Sequence, residues 1–210
     1  MLYRLVYALI IPPLKALFRI RITGREHVPE GALLLCGNHT ALLDPLFMAM
    51  ATGARRPLNF LAKEELFRVP VLKTVIRKLG AFPVARGQAD IGAVRQSVDL
   101  LKNGGRLMIF PDGTRVKHRG ESPLQLGAAM ISTRANAPVL PVFMSYPKRM
   151  FRRTAIIIGP PFMPGSKEGS GSGEFYRALT ARIDEAVWGL GEGKTPVPEG
   201  TPSLAKEGRG

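Results

Sequence analysis

Short apolar runs alternate along this chain with segments that place apolar residues at helical spacing. The runs contain almost no polar side chain and have the length of strands buried on both faces. They lie at residues 32–36, 106–110, 138–143 and 155–158. Helical spacing of apolar residues marks 42–50, 66–79, 90–102, 124–136 and 175–190. This alternation predicts an α/β fold, a single domain whose largely parallel or mixed sheet is flanked by helices.

The domain boundaries follow from composition. Residues 165–173 are rich in Gly and Ser and are predicted to form a mobile loop before the closing helix. From residue 191 onward Gly, Pro and mixed charge leave nothing to bury, which predicts a disordered tail at 191–210. We therefore predict one α/β domain over residues 21–190 and a separate amino-terminal segment over 1–20.

The amino-terminal segment combines apolar residues with basic ones and contains no acid. Arg4, Lys15 and Arg19 make residues 1–20 too charged to cross a bilayer, which requires about 20 apolar residues. Pro12-Pro13 is expected to divide the segment into two short pieces, as in a bent amphipathic anchor that lies among lipid headgroups. A signal peptide is the alternative, and the lack of a small-residue cleavage site disfavours it.

Net charge narrows the class of partner. The chain of 210 residues carries a formal charge of +14, which favours an anionic partner. Aromatic residues are few and no nucleic-acid recognition module is recognisable, so an anionic membrane surface, on the cytoplasmic face of the cell membrane, is preferred and no nucleic acid is expected. The basic amphipathic pattern of residues 66–79 is either a second membrane contact or an ordinary helix packed on the sheet.

The number and spacing of the cysteine and histidine residues do not indicate a metal site. The single cysteine, Cys36, lies in a predicted buried strand and is interpreted as a core residue, so no intramolecular disulfide is possible. The three histidines have no metal-ligand spacing. We expect no metal and no resident cofactor.

A histidine and an aspartate follow the first buried run. His39 comes directly after the turn residues Gly37-Asn38, and Asp44 follows five positions later, where a helix is predicted to begin. Asp44 would then orient His39, while the other ring nitrogen removes a proton from a substrate hydroxyl. Taken alone, this spacing more often marks a helix cap or a surface pair.

A second polar turn follows the run at 106–110. Gly113 allows backbone amides to approach an anion, Thr114 supplies a hydroxyl, and Arg115 supplies a guanidinium suited to phosphate. Asp112 precedes them in the same turn. A surface turn with a solvated arginine is the alternative.

Four segments in this order resemble the sequence blocks of the glycerolipid acyltransferases, the family that includes 1-acyl-glycerol-3-phosphate acyltransferase. They are NHTALLD at 38–44, GAFPVAR at 80–86, FPDGTR at 110–115 and PVLPV at 138–142, and the resemblance covers about residues 24–162. At position 112 the family usually has glutamate, and this chain has aspartate.

The resemblance implies roles for individual residues. His39 and Asp44 would be catalytic. Arg86 would bind the acceptor's phosphate together with Arg115, and Asp112, Gly113 and Thr114 would form the acceptor loop. The fourth segment would shape the acyl-chain side, and Lys63 would be a further contact to phosphate or thioester carrier, although a solvated lysine is the simpler reading.

The implied enzyme is an O-acyltransferase of phospholipid biosynthesis. It would transfer a fatty acyl group from acyl-CoA or acyl carrier protein, as co-substrate, to the free hydroxyl of 1-acyl-glycerol-3-phosphate, giving phosphatidic acid. Two alternatives stay open: another lysolipid acceptor, or a non-catalytic basic peripheral membrane protein that binds anionic lipid.

Overall fold

Helices and strands alternate through most of the chain. The computed structural model describes residues 2–84, 90–165 and 172–193. Its elements are α1 (Leu2–Leu17), β1 (Ile20–Thr23), β2 (Leu33–Gly37), α2 (Asp44–Thr52), β3 (Leu58–Lys63), α3 (Pro70–Lys78), β4 (Ala81–Val84), α4 (Ile91–Lys102), β5 (Arg106–Ile109), α5 (Gly127–Ala135), β6 (Val139–Met144), β7 (Thr154–Ile158) and α6 (Ser172–Gly191). Two short 3-10 turns, Arg25–His27 and Glu64–Arg68, precede β2 and α3.

The strands form one sheet of seven, in the order β1-β7-β6-β2-β5-β3-β4. The five strands β6, β2, β5, β3 and β4 run parallel to one another. Strand β7 is antiparallel to β6, and β1 is parallel to β7. The predicted α/β fold with a largely parallel, mixed sheet is therefore confirmed.

Strand β2 lies at the centre of a three-layer arrangement. Leu34 and Cys36 face a core completed by α4, α5 and α6. Leu33 and Leu35 face a core completed by α1 and α2. All four side chains are fully buried, and burial of each of the three leucines contributes on the order of 2 kcal/mol. A strand covered on both faces needs an unbroken apolar run, which is the pattern that the sequence shows.

Helix α1 corrects the prediction of a break at Pro12-Pro13. Both prolines lie inside one continuous helix, Leu2–Leu17. Proline removes the hydrogen bonds that residues 12 and 13 would donate to the carbonyls of Ala8 and Leu9. Those two residues lie on the exposed side of α1, where water can bind the carbonyls instead, so the helix continues.

One face of α1 packs into the core and another is exposed. Ile11 is 7% exposed, whereas Leu5 and Leu9 are 66% and 73% exposed. Within residues 2–84, 90–165 and 172–193, no helix combines the length and apolar character needed to span a bilayer.

Two predicted helices are shorter than their patterns. The segment 66–79 is interrupted because Pro70 disfavours a helical Val69, whose φ of −87° and ψ of 114° are extended. Helix α5 begins at Gly127 and not at residue 124, and the Gln125 N–H that precedes it donates to the carbonyl of Pro111. The predicted loop at 165–173 lies largely outside the described residues, as does the tail beyond residue 193.

Candidate active site

Three parallel strands deliver polar side chains to one edge of the sheet. His39 follows β2, Asp112 follows β5, and Lys148 follows β6. Because β2 pairs with both β5 and β6 in parallel, the carboxyl ends of all three strands meet at this edge. This is the edge at which ligands bind in open α/β sheets.

The side chain of Asn38 fixes the end of β2. Its Nδ2 donates to the Met144 carbonyl at 2.9 Å, and its Oδ1 accepts from the Met144 N–H at 2.8 Å. These two bonds extend the pairing of β2 with β6 by one residue through a side-chain amide. His39, the next residue, therefore starts from a fixed backbone position.

His39 pairs with Asp44 as the sequence predicts. The two atoms Nδ1 and Asp44 Oδ2 are 3.0 Å apart, and the imidazole stacks on the Phe110 ring with centroids 4.2 Å apart and an angle of 17° between the planes. An ionised carboxylate only accepts, so Nδ1 carries the proton that it donates, and in the neutral imidazole Nε2 is then the unprotonated nitrogen. With 11% of its side chain exposed, His39 is largely shielded from solvent but still accessible to a substrate.

Asp44 lies at the start of α2 and is completely buried. Its Oδ2 also accepts from the backbone N–H groups of Thr40 at 2.6 Å and Ala41 at 2.7 Å. Burial alone would raise the pKa of Asp44, but the His39 hydrogen bond and the Lys148 charge outweigh it and hold the pKa below its usual value. The carboxylate is therefore ionised and able to orient His39.

Lys148 is a site residue that the sequence reasoning missed. Its Nζ lies 2.8 Å from Asp44 Oδ1 and donates to the Thr40 hydroxyl at 2.7 Å. Its side chain is only 2% exposed. Burial lowers the pKa of Lys148, and the neighbouring Asp44 carboxylate partly offsets that effect. The one available signal was its place shortly after β6, a predicted strand parallel to β2.

The loop after β5 is held against the end of β2. The Val116 N–H donates to the His39 carbonyl at 2.8 Å. Gly113 has a φ of 64°, and a Cβ there would lie 2.8 Å from Gln125 Cγ, so glycine suits both the turn and the close approach. Thr114 and Arg115 are exposed beside this loop, and neither side chain has a hydrogen-bond or ion-pair partner within the described ranges.

Asp112 differs from the other members of this loop because it is buried, at 3% exposure. Burial and the nearby Asp184 carboxylate raise the pKa of Asp112 to about 6, and the side chain and backbone N–H of His39 oppose that rise. Its Oδ1 has no hydrogen-bond partner in the part of the chain that the structure describes. Asp184 is itself bound by Arg119, with 2.7 Å between Nε and Oδ2. The carboxyl group of Asp112 is therefore buried beneath the loop. Its role in acceptor binding stays a prediction.

Lys63, Arg86 and Cys36 are the remaining residues to which the sequence analysis assigned a role. Lys63 is the last residue of β3, is exposed, and lies at the same edge as His39 because β3 is parallel to β5. Arg86 lies outside the described residues. Cys36 is fully buried and burial raises the pKa of its thiol, as expected of a core residue. Across the described ranges no three His, Cys, Asp or Glu side chains cluster as metal ligands would.

The fold and this edge define a protein with a buried His–Asp pair, suited to general-base catalysis, beside an arginine-bearing loop. The chain belongs to the acyltransferase family, whose sequence model matches residues 19–145, more than half of its length.

Several relatives carry more specific names. The 1-acyl-sn-glycerol-3-phosphate acyltransferase of Bacillus subtilis is 26% identical over 175 residues, which cover 80% of this chain and 86% of that protein. The Streptococcus pneumoniae protein of the same name is 34% identical over 115 residues, or 54% of this chain and 42% of that one. The chain thus spans less than half of some relatives that it resembles.

A solved structure shares the fold. The crystal structure of the 1-acyl-sn-glycerophosphate (LPA) acyltransferase PlsC from Thermotoga maritima superposes with a TM-score of 0.63 at 25% identity. The match covers 90% of this chain and 78% of that one. A further relative, the lyso-ornithine lipid O-acyltransferase of Pseudomonas aeruginosa, is 32% identical over 61% of this chain and 48% of that protein.

Proposed function

We propose that this chain transfers a fatty acyl group from an acyl thioester to the free hydroxyl of 1-acyl-glycerol-3-phosphate, giving phosphatidic acid. The observation that carries the proposal is the His39–Asp44 pair, 3.0 Å apart, next to a loop that presents Arg115 to solvent. The names of the Bacillus subtilis and Thermotoga maritima relatives support the choice of acceptor.

The reaction follows from the state of the imidazole. Nε2 of His39 takes the proton of the acceptor hydroxyl as the oxygen attacks the thioester carbonyl carbon. Asp44 stabilises the imidazolium that forms. The tetrahedral intermediate then breaks its carbon–sulfur bond, and the proton on Nε2 goes to the leaving thiolate. Backbone amides of the acceptor loop are the proposed oxyanion donors.

This scheme needs no acyl-enzyme, because the acceptor oxygen is itself the nucleophile. Cys36 is excluded as a nucleophile, since it is fully buried and burial raises its pKa. Arg115, Arg86 and Lys63 are proposed to bind the acceptor's phosphate, which prefers guanidinium forks and ammonium groups. Both acyl-CoA and acyl carrier protein remain candidate donors.

We also propose peripheral attachment to the cytoplasmic face of the membrane through the exposed side of α1. Leu5 and Leu9 are the two most exposed large apolar residues of α1 among the described side chains. Met150 and Phe151 extend the apolar surface, being 59% and 70% exposed, and the Phe151 N–H binds the Leu17 carbonyl at the end of α1. An exposed apolar strip flanked by basic residues fits a lipid interface.

The test is acyl transfer by the purified full chain in mild detergent. Lysophosphatidic acid is incubated with labelled acyl-CoA or labelled acyl carrier protein, beside His39→Ala and a control variant, His118→Ala, which changes an exposed histidine. We expect label in phosphatidic acid with wild type and control, and none with His39→Ala. Full activity of His39→Ala would refute the mechanism.

A second acceptor is favoured by two observations. A lyso-ornithine lipid O-acyltransferase is among the relatives, and Asp112 stands where the family usually has glutamate. If lysophosphatidic acid gives no product with either donor, lyso-ornithine lipid and other lysolipids are tested next. Failure with all of these would favour a non-catalytic lipid-binding protein.

A further inference from the structure

A pocket lies at the edge of the sheet opposite His39. Its volume is about 400 Å³, within the roughly 300–1,000 Å³ range of small-molecule sites. Arg106, the first residue of β5, lines it, and so do Glu30, which precedes β2, and Arg55 and Arg56, which precede β3. These residues mark the amino ends of parallel strands, whereas His39 follows a carboxyl end. The pocket is therefore separate from the catalytic edge.

Positive charge dominates the lining. Four guanidinium groups, those of Arg4, Arg55, Arg56 and Arg106, surround the pocket, and Glu30 is the one acidic residue in its lining among the described residues. Glu30 lies 3.3 Å from Arg56 and 4.0 Å from Arg106, and its own side chain is 80% exposed. One solvated carboxylate leaves most of this positive charge uncompensated.

Arg106 gives the pocket a fixed, buried cation. The residue is 4% exposed, and its guanidinium donates to the carbonyls of Pro29 at 2.8 Å and Gly31 at 3.4 Å. Burial and the charge of Arg56 lower the pKa of Arg106. Thr52, which also lines the pocket, has a buried hydroxyl without a hydrogen-bond partner in the described part of the chain. The pocket thus combines the fixed guanidinium of Arg106 with the unpaired hydroxyl of Thr52.

We propose that this arginine pocket binds the phosphate group of an anionic ligand. Phosphate oxygens accept several charge-assisted hydrogen bonds at once, which guanidinium groups supply in a fork, and a bound phosphate would reduce the mutual repulsion of the four arginines. The lining has four arginines and one glutamate, so three positive charges remain if Glu30 neutralises one.

Two sources supply this chemistry, a free phosphate and a lipid headgroup. Arg4 lies on α1 next to Leu5, which is 66% exposed, and Leu9 lies one turn further along at 73% exposed. A headgroup in the pocket would place its acyl chains near such apolar side chains, whereas free phosphate would need only the arginines.

The experiment compares two double variants of the full chain. Arg55→Gln/Arg56→Gln removes two exposed cations of the pocket, and Arg95→Gln/Lys102→Gln removes two exposed cations from α4. The change in net charge is the same. One arm measures the Kd of inorganic phosphate by calorimetry. The other measures flotation with phosphatidylcholine vesicles that contain phosphatidylglycerol, which is not the proposed product. Thermal melting without ligand confirms that both variants fold.

We expect the pocket variant to weaken binding by about tenfold or more relative to the α4 variant, since each charge-assisted bond is worth about tenfold in affinity. Weaker binding of inorganic phosphate by the pocket variant identifies a soluble phosphate as the ligand. Weaker binding of the pocket variant to vesicles alone identifies a lipid headgroup. Equal behaviour of the two variants in both arms would overturn the proposal, because the effect would then be one of net charge alone.

Discussion

Replacing Lys148 by methionine tests the buried ion pair beneath His39. At the observed separation of 2.8 Å between Nζ and Asp44 Oδ1, the attraction is about 6 kcal/mol at an effective dielectric constant of about 20. Desolvation of the ammonium offsets part of it. Removing one partner of such a pair costs about 3–5 kcal/mol. Two backbone N–H groups still bind Oδ2, so we expect a loss of about 3 kcal/mol in the free energy of unfolding.

The same change is expected to alter catalysis through Asp44. Without the lysine charge the pKa of Asp44 rises, so the acid limb of the pH profile of kcat/KM moves to higher pH. The KM for acceptor should change little, because Lys148 is 2% exposed and acts through Asp44. Urea unfolding and rate profiles across pH are the assays, with Lys102→Met, at an exposed lysine of α4, as the matched control.

A double-mutant cycle decides whether the charge pair is responsible. In an Asp44→Asn background, Lys148→Met should destabilise far less, because no buried carboxylate is left unpaired. An equal loss in both backgrounds, with an unchanged pH profile, would refute the reasoning. Lys148 would then act by packing, for example against Phe47, whose ring centroid lies 5.8 Å from Nζ.

Three further changes have defined outcomes. The raised pKa of Asp112, about 6 against an ordinary 3.8, means that its protonation stabilises the fold fully below about pH 4 and no longer above about pH 6. Asp112→Asn should therefore gain about 1–3 kcal/mol in unfolding free energy at neutral pH and nothing at about pH 4, and an equal gain at both would contradict this cause. Arg115→Gln should raise the KM for lysophosphatidic acid about 10- to 100-fold with little change in kcat, and an unchanged KM would remove Arg115 from the phosphate site. Leu5→Ser/Leu9→Ser should reduce vesicle binding without lowering the melting temperature, and undiminished binding would exclude this face of α1 as the membrane contact.

Much of the fold could be predicted because its central strands are buried on both faces and their apolar runs are unbroken. Strands β1 and β3 were missed. Strand β1 has only four residues and follows directly on the basic amino-terminal segment, and the LNFLAK sequence of β3 is not an unbroken apolar run. The His39–Asp44 pair was predictable because both partners are local in sequence. Lys148 was not, because lysine is rarely buried and its partner lies more than a hundred residues away.

Phe110 shows a related limit of sequence reasoning. It closes the apolar run after β5 and reads as a core residue, yet its ring stacks on the His39 imidazole. Only the pairing of β2 with β5 brings the two rings together. Residues that support a site from neighbouring strands therefore emerge only once the strand order is known.

The pairing of β1 with β7 sets the order in which the molecule can be assembled during translation. Ile20 lies beside Thr154, so β1 has no neighbouring strand to pair with until the ribosome has added all of the chain between them. At about 5–20 residues per second this delay is on the order of ten seconds. Throughout it, β1 lacks the one strand that it pairs with in the described sheet, and Asp44 still lacks its lysine. The amino-terminal helix is therefore synthesised, and able to contact a membrane surface, before the His39–Asp44–Lys148 cluster is complete.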